Sequence, residues 1–135
     1  MLAEDFAPYR RLISSLLDKN SEWQVIGEAS DGLEVVKKAA ELGPDLVFMD
    51  IGLPKLNGLE AARRVLEFDP STKIVFLTQE TDTDVLREAL RLGASGYLLK
   101  QEAQADLLPA LAAVLQGKRF VGRGISPDGS ETGPG

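Results

Sequence analysis

Apolar residues along this chain fall into alternating short runs and spaced stripes. The sharpest run is Leu46-Val47-Phe48-Met49, which ends at Asp50. Gly43-Pro44 precedes it, and Gly52, Pro54 and Gly58 follow. A continuous apolar run between such punctuation predicts a strand buried on both faces, over 45–49. Lys73-Ile74-Val75-Phe76-Leu77-Thr78 predicts a second such strand, and Tyr97-Leu98-Leu99, ending at Lys100, a third. Val25-Ile26 within 23–29 predicts another. Met1-Leu2-Ala3 ahead of Glu4-Asp5 leaves a first strand of only about three residues, against the usual five or six. A truncated first strand is the expectation, with further apolar residues before Met1 in a full-length chain.

Between the runs the period changes to 3.6. Tyr9, Leu12, Ile13, Leu16 and Leu17 form an i, i+3, i+4, i+7, i+8 stripe, with Pro8 suited to its first turn. Leu33, Val36 and Ala40 predict the next helix face, starting at Ser30-Asp31-Gly32 and stopped by Gly43-Pro44. Leu59, Ala62, Val65 and Leu66 predict a third helix, ended by Asp69-Pro70-Ser71. Asp82 or Thr83 caps a fourth with Val85, Ala89 and Leu92 on one side. A fifth carries Leu107, Leu108, Leu111, Val114 and Leu115 and stops at Gly117. Asp106 is the favoured N-cap of this helix, which would keep Pro109 within its first turn; a start nearer Ala103 would instead put Pro109 where it removes a hydrogen bond and kinks the helix. Five strands thus alternate with five helices, the pattern of a doubly wound parallel α/β sheet with helices on both faces.

The 135-residue length allows one domain with a real core. Residues 1–120 form it, and 121–135, with five Gly and two Pro from Gly122 onward, read as a disordered tail or linker. No apolar run is long enough to span a membrane, and none reads as a signal peptide. Cys and His are both absent, which removes disulfides, thiolate or imidazole metal sites and histidine acid–base chemistry. That fits a cytoplasmic protein. A net charge of −6 argues against direct nucleic-acid binding by this domain.

In a parallel sheet the carboxyl ends of the strands lie along one edge. Glu4 and Asp5, Asp50, Thr78 and Lys100 each follow a strand, so three carboxylates, a hydroxyl and an ammonium converge on one cleft. Taken singly, each has a plainer role as a cap, a turn residue or a surface charge. Clustered carboxylates raise one another's pKa unless a cation sits among them. A hard divalent ion, Mg²⁺ above all, suits such an oxygen site and attracts a phosphoryl group. Asp50 is the central carboxylate and the candidate nucleophile, giving an aspartyl-phosphate.

These residues resemble the receiver domain of two-component response regulators. The family pattern is an acidic pair after the first strand, a phospho-accepting Asp with Pro four and Gly eight residues on, Thr or Ser after the fourth strand, and Lys after the fifth. Here these are Glu4-Asp5, Asp50 with Pro54 and Gly58, Thr78, and Lys100. The segments Gly27 to Gly32 and Gly93 to Lys100 are similar to the subfamily with LuxR-type helix-turn-helix output. The resemblance implies a flavodoxin-like sheet of order 2-1-3-4-5. It implies phosphorylation of Asp50 by a sensor histidine kinase, with Mg²⁺ held by Asp5, Asp50, the Gly52 carbonyl and, through water, Glu4. It also implies a Thr78–Tyr97 switch, possible homodimerisation on phosphorylation, and transcriptional control through an output domain absent from this chain. Such a domain acts only on its own phosphate.

The departures are the short first strand, Glu4 where Asp is commoner, Gln79 where a small residue is usual, and Gln101 where Pro often follows the lysine. Without Pro, a trans Lys100–Gln101 bond is expected. Three other readings fit the residues less well. A haloacid-dehalogenase-type phosphatase would need Asp where Gly52 stands. A flavodoxin-like electron carrier would need a phosphate loop in place of Phe6-Ala7-Pro8-Tyr9. A degenerate or truncated receiver acting only through protein contacts is opposed by the intact Asp50, Thr78 and Lys100, while the short first strand keeps it open.

Overall fold

The computed structural model describes residues 1–20, 22–79 and 82–122. The elements are β1 (Leu2–Ala3), α1 (Ala7–Asp18), β2 (Glu28–Ala29), α2 (Gly32–Leu42), β3 (Leu46–Asp50), α3 (Gly58–Phe68), β4 (Lys73–Thr78), α4 (Thr83–Arg91), β5 (Gly96–Leu99), α5 (Ala103–Leu115) and β6 (Phe120–Val121). A single 3₁₀ turn, Lys100–Glu102, joins β5 to α5. All strands pair in parallel, in the order β2-β1-β3-β4-β5-β6. The predicted flavodoxin-like order holds, and β6 adds a sixth strand to the β5 edge.

Strand alternation divides the core in two. Val47, Met49, Ile74, Phe76, Tyr97 and Leu99 pack with α2, α3 and α4 on one face. Leu46, Phe48, Val75, Leu77 and Leu98 pack with α1 and α5 on the other. Both faces are covered, which is why these strands read as unbroken apolar runs.

The structure corrects four expectations. The strand expected over 23–29 is only Glu28–Ala29. A strand needs a neighbour, and β1 offers just Leu2 and Ala3, paired with Glu28 and Ala29. Trp23 and Val25 still pack against the α1/α5 core. In α2 the buried face is Val35 and Ala39, while Leu33 is exposed and Val36 is only partly buried. Helix α5 starts at Ala103 rather than after Asp106, because the 3₁₀ turn feeds directly into it and Ala103 is buried. Asp106 is therefore buried inside the helix beside Gly122, and Pro109 lies in the interior on the exposed side. Finally, Leu12, Ala40, Leu108 and Leu115, each placed on a predicted apolar face, are exposed.

Other boundaries match. Asp31 caps α2, accepting from the Glu34 N–H at 2.8 Å, and Asp82 caps α4 through Asp84 and Val85. The first strand is short, as expected, and its backbone is bonded on both sides: Leu2 N–H donates to Gly27 O (3.1 Å) and Phe48 N–H to Met1 O (2.9 Å). The Lys100–Gln101 bond is trans, as expected. The tail expected from 121 falls almost wholly outside the described residues.

The loop carrying Asp50 into α3 is held by close backbone approach. Gly58 N–H donates to Ile51 O (2.7 Å), Gly32 N–H donates to Pro54 O (3.1 Å), and Asn57 caps α3 through the Glu60 N–H. A Cβ on Gly58 would lie 2.3 Å from the Asp50 carbonyl oxygen, whereas one on Gly52 would meet nothing nearer than 3.7 Å. Gly58→Ala should therefore lower the unfolding free energy by about 1–3 kcal/mol through overpacking against backbone. Gly52→Ala should stay within about 0.5 kcal/mol. Urea midpoints of the two variants check this, and equal midpoints would contradict the proposed packing.

Candidate functional site

Glu4 follows β1, Asp50 ends β3, Thr78 ends β4 and Lys100 follows β5, so all four come to the carboxyl edge of the sheet. They line one cleft of about 640 Å³ with Asp5, Phe6, Tyr9, Ile51, Gly52, Gln79, Val85 and Gln101. Every residue expected at the site from the sequence except Tyr97 is on its wall. Tyr97 is fully buried, edge-on to Phe76 with ring centroids 6.5 Å apart.

Lys100 is the electrostatic centre. Its ammonium donates to Asp50 Oδ2 at 3.1 Å and, more closely, to Glu4 Oε1. Glu4 is fully buried, and its other oxygen accepts the Phe6 N–H at 3.0 Å. Asp50 is 8% exposed, and its Oδ1 accepts the Gly52 N–H at 3.0 Å. Burial pushes the Glu4 carboxyl above its ordinary range, and the Asp50 charge adds to that push against the Lys100 and Phe6 hydrogen bonds. Burial also pulls Lys100 down, but the Glu4 hydrogen bond and the two carboxylate charges outweigh it and hold the ammonium above the usual lysine value.

Glu4, Asp5 and Asp50 each offer a carboxylate oxygen, and these oxygens lie within 4.8 Å of one another. Asp5 is exposed and the other two are buried, so the cluster opens to solvent on one side. An all-oxygen donor set reachable by water suits a hard divalent cation with a partly retained hydration shell. Lys100 already holds a positive charge against two of these oxygens, which shows that the fold accommodates a cation there.

The sequence did not mark two contributors. Arg10 donates from Nη1 to the Glu4 carbonyl at 2.7 Å and from Nε to Glu28 Oε1 at 3.1 Å, tying the acidic loop to both α1 and β2. Tyr9 packs against the α1/α5 core as its spacing predicts, and also stands on the cleft wall with its hydroxyl on the Lys100 carbonyl. Only their place in the first turns after the acidic pair could have pointed to them.

Comparison with known proteins agrees with this geometry. The family model described as "Response regulator receiver domain" matches residues 1–112. The transcriptional regulatory protein DegU of Brevibacillus brevis is 31% identical over 121 residues, covering 90% of this chain and 51% of that protein. The response regulator GacA of Pseudomonas viridiflava is 35% identical, covering 90% and 56%. The chain thus spans about half the length of the curated relatives it matches. The crystal structure of a LuxR-family two-component response regulator from Aurantimonas sp. SI85-9A1 superposes with a TM-score of 0.85 at 33% identity, covering 95% of this chain and 89% of that one. No helix among the described residues is long and apolar enough to cross a membrane.

Lys100→Ala leaves Glu4 buried without its counter-charge, and breaking such a pair should cost about 2–4 kcal/mol at pH 7. The pH dependence has a definite sign. A raised Glu4 pKa means the folded chain keeps a proton that the unfolded chain has lost, so this group's stabilisation is present in acid and fades as pH rises through the raised pKa. Removing Lys100 raises that pKa further. The deficit of Lys100→Ala against wild type should therefore shrink as pH is lowered from 7 toward 5, as followed by urea unfolding. A deficit that grows on acidification would contradict the assignment.

Proposed function

The chain belongs to the response regulator receiver domain family, and from that premise we propose that it is a phospho-accepting switch with Asp50 as the acceptor. The observation that carries the reading is the joint placement of Asp50, Lys100, Thr78 and the Glu4–Asp5 pair on one open cleft. An Asp50 carboxylate oxygen attacks the donor's phosphorus, the bond from phosphorus to the leaving atom breaks, and the leaving group departs with the electron pair. Water attack on phosphorus later returns free phosphate and the Asp50 carboxylate. The transfer depends mainly on positioning and charge neutralisation. Lys100 neutralises one phosphoryl oxygen and the Thr78 hydroxyl donates to another. Glu4, Asp5, Asp50 and the Gly52 carbonyl are the groups that would hold Mg²⁺, which supplies further charge neutralisation when bound.

The phosphoryl donor in this reading is the phosphohistidine of a sensor kinase, which membership of the receiver family supports. Its acts of chemistry are confined to its own phosphate. Phosphorylation draws Thr78 toward the phosphoryl group and shifts Tyr97, which lies on the same sheet face, so that the α4–β5–α5 surface changes. That surface is the candidate for homodimerisation. Likeness to a transcriptional regulatory protein supports a readout in transcription, through an output unit outside these residues.

Intact mass after incubation with Mg²⁺ and acetyl phosphate tests the acceptor. Wild type should gain one phosphoryl group, and neither Asp50→Asn nor wild type without Mg²⁺ should gain any. A folded wild type with unchanged mass, or an Asp50→Asn variant that is modified at the wild-type rate, would overturn the reading. Lys100→Ala at saturating Mg²⁺ should still bind the metal by calorimetry yet lose phosphorylation-dependent self-association in sedimentation. Unchanged association would remove Lys100 from the switch.

A further inference from the structure

Tyr9 makes two contacts of different kinds with one distant residue. Its hydroxyl donates to the Lys100 carbonyl at 2.9 Å, and the Lys100 ammonium lies 5.0 Å from the centre of its ring. A leucine at this point of the α1 stripe could cover the same apolar floor, but it could make neither contact. The Lys100 carbonyl also accepts the Ala103 N–H, so Tyr9 is a second donor at the turn where strand becomes 3₁₀ helix. The ladder of β5 with β4 ends one residue earlier, at Leu99. Past that point the lysine's backbone has lost the sheet's restraint, and its four-carbon stem is flexible.

Resting on the receiver reading, we propose that Tyr9 is a positioning residue for Lys100. The hydroxyl pins the turn that carries the lysine. The ring face attracts the ammonium while Glu4 and Asp50 accept its hydrogen bonds. The ammonium is thereby confined to the part of the cleft where a phosphoryl group on Asp50 would present an oxygen. Tyr9 touches none of the reacting atoms in this account and acts through Lys100 alone.

The test separates this role from simple packing. Phosphorylation by acetyl phosphate at saturating Mg²⁺ should slow about five-fold or more in Tyr9→Leu, and about two-fold in Tyr9→Phe, which keeps the ring and loses the hydroxyl. The Mg²⁺ dissociation constant should move less than about two-fold in either variant, since Tyr9 holds no carboxylate. In a Lys100→Ala background the residual rate should be the same with Tyr or Leu at position 9. The proposal falls if Tyr9→Leu reacts at the wild-type rate, if it slows equally with and without Lys100, or if Mg²⁺ affinity falls in step with the rate.

A second measurement needs no phosphoryl donor. The ring should shift the Lys100 ε-methylene protons upfield in the NMR spectrum of wild type, and the shift should vanish in Tyr9→Leu. Unshifted protons in wild type would overturn the placement. If wild type takes up no phosphoryl group at all, the phospho-accepting reading fails, and the NMR result alone still decides whether Tyr9 positions Lys100.

Discussion

One ammonium among three carboxylates is the constraint on which this structure turns. Like charges within a few ångströms at a partly buried site repel strongly, and the repulsion grows as water is excluded. Lys100 offsets it by bonding Glu4 and Asp50 together. The offset is incomplete: two negative charges remain for one positive, and Glu4 keeps a raised pKa. A fold selected for stability alone would not gather these groups. Their retention at the open end of the sheet makes sense for a site that gains stability by binding more positive charge.

Strand alternation then distributes the chemistry. In β3 and in the residues after β1 and β5, Glu4, Asp50 and Lys100 fall on the parity of Leu2, Phe48 and Leu98, which pack toward α1 and α5. Arg10 and Tyr9 can support them because α1 covers that side. Thr78 falls on the other parity, with Phe76, and its ladder neighbour Leu99 shares that face with Tyr97. The acidic half of the cleft is thus built on one face of the sheet and the Thr78 half on the other, and they meet only at the strand ends.

The elements legible in the sequence were those whose cause is local. Leu46 to Met49 between Gly-Pro and Gly could hardly be anything but a buried strand, and Asp31 and Asp82 mark helix starts by their own hydrogen bonds. The misread elements have non-local causes. Trp23 to Gly27 has strand chemistry but no strand beside it. Phe120–Val121 is a strand only because the β5 edge offers it a partner. Asp106 looked like a cap, yet the turn from Lys100 had already begun the helix, and Pro109 was tolerated because it lies on the exposed side. In α2, Leu33 and Val36 have the right spacing, but α3 packs against the neighbouring stripe of Val35 and Ala39. The candidate site was legible because topology alone brings strand ends together. Tyr9 was not, because a tyrosine in a helical stripe looks the same whether its hydroxyl meets solvent or a lysine carbonyl.

The division of the cleft between two sheet faces bears on how a switch could work at all. On the proposed reading, the charge event occurs at Asp50, on the α1/α5 parity, whereas the buried aromatic Tyr97 lies on the α4 parity. The two faces meet at the strand ends, so the shortest connection between them runs there. The charge change can pass around the sheet's edge, where Thr78 ends β4 with its ladder partner Leu99 next to Lys100. Thr78 and Lys100 then have separate tasks. On the proposed reading Lys100 compensates charge on the face where the phosphoryl group would form, and Thr78 carries the consequence to the face where Tyr97 and α4 can respond. That separation explains why the site needs both a hydroxyl and an ammonium, although either alone could bind a phosphoryl oxygen.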